Sequence, residues 1–306
     1  MTDHAQLTPD DSPRLDQTVT LRDGRRLGFA EYGPADGTPV MLFGGASARY
    51  LKPCRDELLD ELAVRLLVVE RPGYGLSDFQ PRRTLLDWPD DVAQLADHLG
   101  LARFVVVAGS QGGPYGAVCG FKLPDRLTSL TLVSALGPFD VPGLTEGMAP
   151  ALAMLPKLAR YAPFLLRPMQ GATVAVIRRN PEGAVRRLFA NLPAGDQAVL
   201  QQPDLLQAFV RDVSEAYRQG GRGAAHDIYV ACHPWGFQAS AIRAKTFLWQ
   251  GEADPNVPPV MGRYLAAQIP DCTATFVPGA GHMLFYSHFP AILGQIAERG
   301  DRDGSA

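Results

Sequence analysis

A five-residue apolar run, FVVVA (residues 104–108), stops almost at once on a serine set among glycines, GSQGGPYG (residues 109–116). The run is rich in β-branched residues and lacks polar alternation, the pattern of a strand buried on both faces inside a parallel sheet. From residue 111 to about 122 the pattern continues as a helix, so Ser110 is expected at the sharp junction between strand and helix. That junction lies at the carboxyl end of the strand, where open α/β sheets hold their ligands. Small neighbours at Ala108, Gly112 and Gly113 fit a turn too tight for side chains two positions either side of the serine. This is the G-x-S-x-G nucleophile elbow with Ala108 in place of the first glycine, and a Gly-rich turn carrying a solvated serine would read the same in isolation.

The rest of the chain repeats the alternation. Two strands flank Asp23-Gly24, a hairpin signal. PVMLFGG (39–45) and RLLVVERPGYG (65–75) read as strands with a helical stretch at about 51–63 between them. DWPDDVAQLADHLGL is amphipathic through Val92, Leu95 and Leu99, with Gly100 as its stop. LTSLTLVSAL (127–136) is the next strand. Alternating strands and helices predict an α/β fold, a mostly parallel central sheet flanked by helices. Between residues 137 and 238 the rhythm turns to helical patterns broken by prolines, and KTFLWQGEADPNVP (245–258) then resumes the sheet. An inserted α-helical cap is the expectation. TATFVPGAGH and a last helix at about 289–297 complete the core. The division is a flexible leader at 1–16, a core at 17–136 and 239–299, a cap at 137–238 and a tail at 300–306.

With 306 residues the chain can bury a substantial core, and a formal net charge of -3 supplies no basic field for nucleic acid or an anionic membrane. Cys54, Cys119, Cys232 and Cys272 are scattered without C-x-x-C pairing, against a metal site or disulfide framework. The polar, acidic start lacks the features of a signal peptide, and no apolar run reaches the length of a membrane span. The expected setting is cytoplasmic, without metal or cofactor, with a small-molecule substrate as partner. Nothing in the sequence decides between monomer and homodimer.

A serine hydroxyl needs a base within hydrogen-bond reach, itself oriented by an acid. His4 lies in the leader, His98 on an amphipathic helix, His226 and His233 in the cap, and His288 beside the last helix. His282, in the glycine-containing VPGAGHMLF just after a strand, can reach over the strand ends. Asp254, in LWQGEADPNVPP, is the expected acid, because the order Ser, Asp, His is what this elbow predicts; Glu252 and Asp140 are alternatives.

With ERPGYGLSD, AGSQGGPYG, GEADPNVP and GAGHMLF in sequence, the chain resembles the α/β-hydrolase superfamily over residues 19–296. The cap's end, EAYRQGGRGAAHDIYVACHPWGF, is similar to a bacterial subgroup of undefined substrate. The resemblance implies acyl transfer, with Ser110 attacking, His282 carrying the proton and Asp254 fixing its tautomer. The oxyanion would meet the backbone N–H of Gln111 and a donor from GGASARY, where the family usually has His-Gly; Gly44-Gly45 here makes Ala46 the matching donor. In the cap, Met148, Leu152 and Leu155 read as one helical face, packing on the core or walling an apolar pocket. Gly45, Tyr115, Trp235 and Met283 are candidate substrate contacts, and Arg49 and Tyr50 flank the same region. The leading expectation is a serine hydrolase of a carboxylic ester or lactone. Carbon–carbon bond cleavage by the same triad, or a non-catalytic ligand-binding module on the scaffold, are the alternatives.

Overall fold

The apolar runs become the inner strands of one eight-stranded sheet in a computed structural model that describes residues 14–190 and 192–303. The strands are β1 (Arg14–Thr20), β2 (Arg26–Tyr32), β3 (Thr38–Phe43), β4 (Val64–Val69), β5 (Phe104–Ser110), β6 (Leu127–Ala135), β7 (Thr246–Gly251) and β8 (Cys272–Val277). Their order is β1-β2-β4-β3-β5-β6-β7-β8; β2 runs antiparallel to both its neighbours, and the other pairs are parallel. Side chains alternate between two cores as the pleat requires. Phe104, Val106 and Ala108 enter one with helices α2 (Trp88–His98), α3 (Gly113–Lys122) and α11 (Pro259–Gln268). Val105 and Val107 enter the other with α1 (Asp56–Glu61) and α13 (Phe289–Asp303). Gly100 ends α2 in the left-handed region at φ +69°, which glycine alone adopts without strain.

Between β6 and β7 the chain leaves the sheet for a helical insert. It comprises α4 (Pro150–Ala153), α5 (Leu155–Tyr161), α6 (Leu166–Arg179), α7 (Pro181–Leu188), α8 (Ala194–Leu200), α9 (Pro203–Ala216) and α10 (Arg222–Cys232). A short helix α12 (Leu284–Ser287) precedes α13. No helix among the described residues is long and apolar enough to cross a membrane.

Several boundaries differ from the sequence expectation. Residues 14–16, expected in the leader, open β1, where Arg14 pairs with Glu31; residues 1–13 lie outside the described residues. The helix expected from residue 51 begins only at Asp56, because the backbone N–H groups of Tyr50 and Leu51 are taken by the Asp212 carboxylate and Pro53 follows. The last helix runs to Asp303, past the expected tail boundary. Met148 precedes α4, and α4 and α5 are separate at Met154, so Met148, Leu152 and Leu155 share no single helix. Met148 and Leu152 nonetheless pack against Val257 and Met261 of the core.

Candidate active site

The strand order reverses between β3 and β5. β3 and β5 are neighbours whose following segments diverge, so the loop after Phe43 and the turn at Ser110 face each other at the carboxyl edge. Ser110 adopts φ +54°, a strained setting for a residue with a Cβ, of order 1–3 kcal/mol. Its surroundings hold it there. The Ser110 carbonyl accepts the Leu136 N–H at 3.0 Å, and the β5–β6 register slips by one residue at this point. A Cβ on Gly112 would overlap the carbonyl oxygens of Phe43 and Gly44, and one on Gly116 would overlap the Ala108 side chain. Helix α3 therefore presses on the end of β5, which accounts for small residues on both sides of Ser110.

His282, in the loop after β8, brings its Nε2 to 3.1 Å from Ser110 Oγ, while its Nδ1 lies 2.9 Å from Asp254 Oδ2. Asp254 is buried, and its other oxygen accepts the N–H groups of Asn256 at 2.8 Å and Val257 at 2.9 Å. A carboxylate can only accept, so the imidazole proton sits on Nδ1 and leaves Nε2 free to take the serine proton. Burial works against the imidazolium, but the charge and hydrogen bond of Asp254, with Asp196 contributing, outweigh it and raise the His282 pKa above its ordinary value. The competing acids are elsewhere: Glu252 pairs with Arg263 at 2.8 Å, and Asp140 is exposed.

In the loop after β3, a Cβ built on Gly45 would stand 3.8 Å from Ser110 Oγ. The N–H groups of Gln111, Gly45 and Ala46 have no acceptor among the described residues; Gln111 adjoins Ser110 in the chain, and Gly45 faces it. Arg71, in the loop after β4, donates from its two terminal nitrogens to the carbonyls of Gly44 and Gly45.

Other sequence candidates are committed differently. Tyr115 is fully buried, donating its hydroxyl to Asp227 and accepting from Arg83 at 2.6 Å, so it faces a buried ion cluster and not a substrate space. Trp235 lies in the main core beside Phe237, which stacks on Phe121 of α3; it anchors the segment after α10. Met283 packs with Leu51, Phe189 and Phe209 under the insert. Arg49 is paired with Asp16, Glu70 and Glu215, and the Tyr50 hydroxyl donates to Asp16. Two cavities, of about 180 and 420 Å³, lie among the helices of the insert, and neither is lined by Ser110 or His282.

The sequence reading passed over Arg71, Arg83, Asp212 and Asp227. Asp227 carried a usable signal: a carboxylate followed by the apolar run IYVAC, on the buried face of α10, requires a cationic partner. Burial alone would raise its pKa, but Arg71 and Arg83 hold it well below the usual carboxylate range.

The sequence model of the alpha/beta hydrolase fold family matches residues 38–289. An uncharacterized hydrolase, YcgS, of Bacillus subtilis is 30% identical over 120 residues, 39% of this chain and 41% of that one. A haloalkane dehalogenase of Mycolicibacterium paratuberculosis is 28% identical over 189 residues, 59% of this chain and 58% of that one. The chain thus spans between two fifths and three fifths of the length of these relatives. A thermophilic esterase from Thermogutta terrifontis superposes with a TM-score of 0.65 at 22% identity, covering 94% of this chain and 98% of that one, a likeness of fold.

Proposed function

The chain belongs to the alpha/beta hydrolase fold family, and from that membership we propose that it is a serine hydrolase cleaving a carboxylic ester or lactone of a small to medium apolar substrate. The observation that carries this reading is the relay from Ser110 Oγ to His282 Nε2 at 3.1 Å, with Asp254 accepting from Nδ1 at 2.9 Å. Ser110 Oγ attacks the acyl carbon as its proton passes to His282 Nε2. The free donors at Gln111 and at Gly45 or Ala46 receive the developing oxyanion, so charge forms against dipoles already in place. Collapse expels the alcohol, which takes the proton from His282, and leaves Ser110 acylated. Water, deprotonated by the same imidazole, then releases the acid and restores the hydroxyl.

The residue at the elbow argues against the chemistry named for the dehalogenase relative. A carboxylate that displaces halide becomes an ester, whose carbonyl water can attack. A serine doing so becomes an ether, which has no carbonyl and would stay on the enzyme.

The test is turnover of p-nitrophenyl esters from acetyl to dodecanoyl by wild type and Ser110→Ala at matched folded concentration. Activity that vanishes in the variant is expected, with a chain-length optimum that sizes the acyl site. Fluorophosphonate labelling of Ser110 without turnover of any ester would move the reading to carbon–carbon bond cleavage. Neither turnover nor labelling would leave ligand binding as the function.

A further inference from the structure

The insert bears on the loop after β3 directly through α9 and, by way of Arg71, through α10. Asp212, on α9, accepts the backbone N–H groups of Ala48 at 3.0 Å, Tyr50 at 3.0 Å and Leu51 at 3.1 Å. Asp227, on α10, holds Arg71 with an Oδ2 to guanidinium distance of 2.9 Å, and Arg83 at 2.7 Å; the side chains of Arg71 and Asp227 are 2% and 0% exposed. Tyr74 and Tyr115 also donate to this carboxylate. Backbone approach fixes the spot: Gly73 and Gly223 lie so close that a Cβ on the first would stand 2.6 Å from the Cα of the second.

The planarity of the peptide unit turns this into a statement about donors. In a trans peptide the C=O of one residue and the N–H of the next point in opposite directions. Arg71 draws the carbonyls of Gly44 and Gly45 toward itself, so the N–H groups of Gly45 and Ala46 are turned away from it. These are the free donors on the loop beside Ser110. We propose that Asp227, acting through Arg71, and Asp212, acting on the far end of the same loop, are positioning residues that set the direction of the Gly45 and Ala46 N–H groups. The insert thereby builds part of the oxyanion site in addition to covering it. The inference rests on the serine-hydrolase reading.

Arg71→Lys keeps a cation beside Asp227 but cannot fork to two carbonyls. Asp212→Asn keeps one acceptor oxygen for the Tyr50 and Leu51 N–H groups and gives up the Ala48 bond, and it breaks no ion pair among the described residues. The experiment measures kcat and KM separately for p-nitrophenyl ester hydrolysis, and the rate of fluorophosphonate labelling, in these variants and in Asp227→Asn, with folding checked by thermal melting. Donor misalignment lowers kcat and labelling by about 10- to 100-fold while KM stays within about twofold, because the donors act on the transition state more than on the bound ester. If Asp227→Asn does not fold, having left two guanidinium groups buried without a counter-charge, Asp212→Asn carries the test. Folded variants with wild-type kcat would overturn the inference, as would losses of activity that merely track the folded fraction. Inert wild type would overturn the serine-hydrolase reading beneath it; active wild type with unaffected variants would overturn this inference alone.

Discussion

Asp254→Asn is a perturbation whose outcome can be worked from the hydrogen bonds around it. One Asp254 oxygen takes two backbone N–H groups, from Asn256 and Val257, and the other faces His282 Nδ1. An asparagine has one acceptor oxygen and one NH2, so its orientation decides the fate of the histidine. Turning the NH2 toward the two backbone amides would leave both N–H groups unsatisfied, at about 1–3 kcal/mol each. The amide oxygen therefore stays with the loop and the NH2 faces Nδ1. That forces Nδ1 to accept and puts the proton on Nε2, where it blocks transfer from Ser110. Restoring the productive tautomer costs the same flip, about 2–6 kcal/mol, which is about 30- to 3 × 10⁴-fold in rate at about 1.36 kcal/mol per factor of ten. Loss of the carboxylate's attraction for the imidazolium adds to this, so kcat should fall by about 10³-fold or more. Both loop bonds survive, so the melting temperature should stay within a few degrees of wild type. The assay is steady-state ester hydrolysis beside a thermal melt. A folded variant retaining more than a tenth of wild-type kcat would refute the tautomer argument.

Two further outcomes follow from the same geometry. The kcat/KM of the wild type should rise with pH as His282 loses its proton, with an inflection above the ordinary imidazole value of 6.5, because the Asp254 carboxylate stabilises the charged form. An inflection at or below that value, read from a pH–rate profile, would mean that burial wins over the carboxylate. Gly116→Val would drive new carbons into Ala108 and Leu130, costing about 1–3 kcal/mol. Its melting temperature should fall by roughly 2–10 °C; an unchanged melt would show that α3 can move off β5 without cost.

The parts of the site legible in the sequence are those written in neighbouring residues. The continuous apolar run of β5, the small residues that let α3 close on it, and the glycine-flanked His282 are all local patterns. What the sequence concealed depends on apposition across the fold. Nothing local in DVSEAYR says that Asp212 will meet the amides of residues 48, 50 and 51, and that meeting is also why the helix expected from residue 51 starts late. Tyr115 is one turn past the elbow and reads as a substrate contact from its position. Its hydroxyl is drawn instead to a carboxylate 112 residues away. Charges inside apolar stretches, Asp227 above all, were the signal that such long-range pairs existed, although the partners could not be named from spacing.

The insert leaves at the end of β6 and returns at β7, the adjacent parallel strand, so in connectivity it is one long loop between neighbours. Loops of that kind are natural units of exchange, because swapping one leaves every strand pairing intact. Here the transplant would carry away the aspartate that pairs with both Arg71 and Arg83, stranding two cations in the body that remains. Recombination between relatives of this chain would thus have to move those arginines together with α10, and a graft designed only from the sheet would inherit an unbalanced interior.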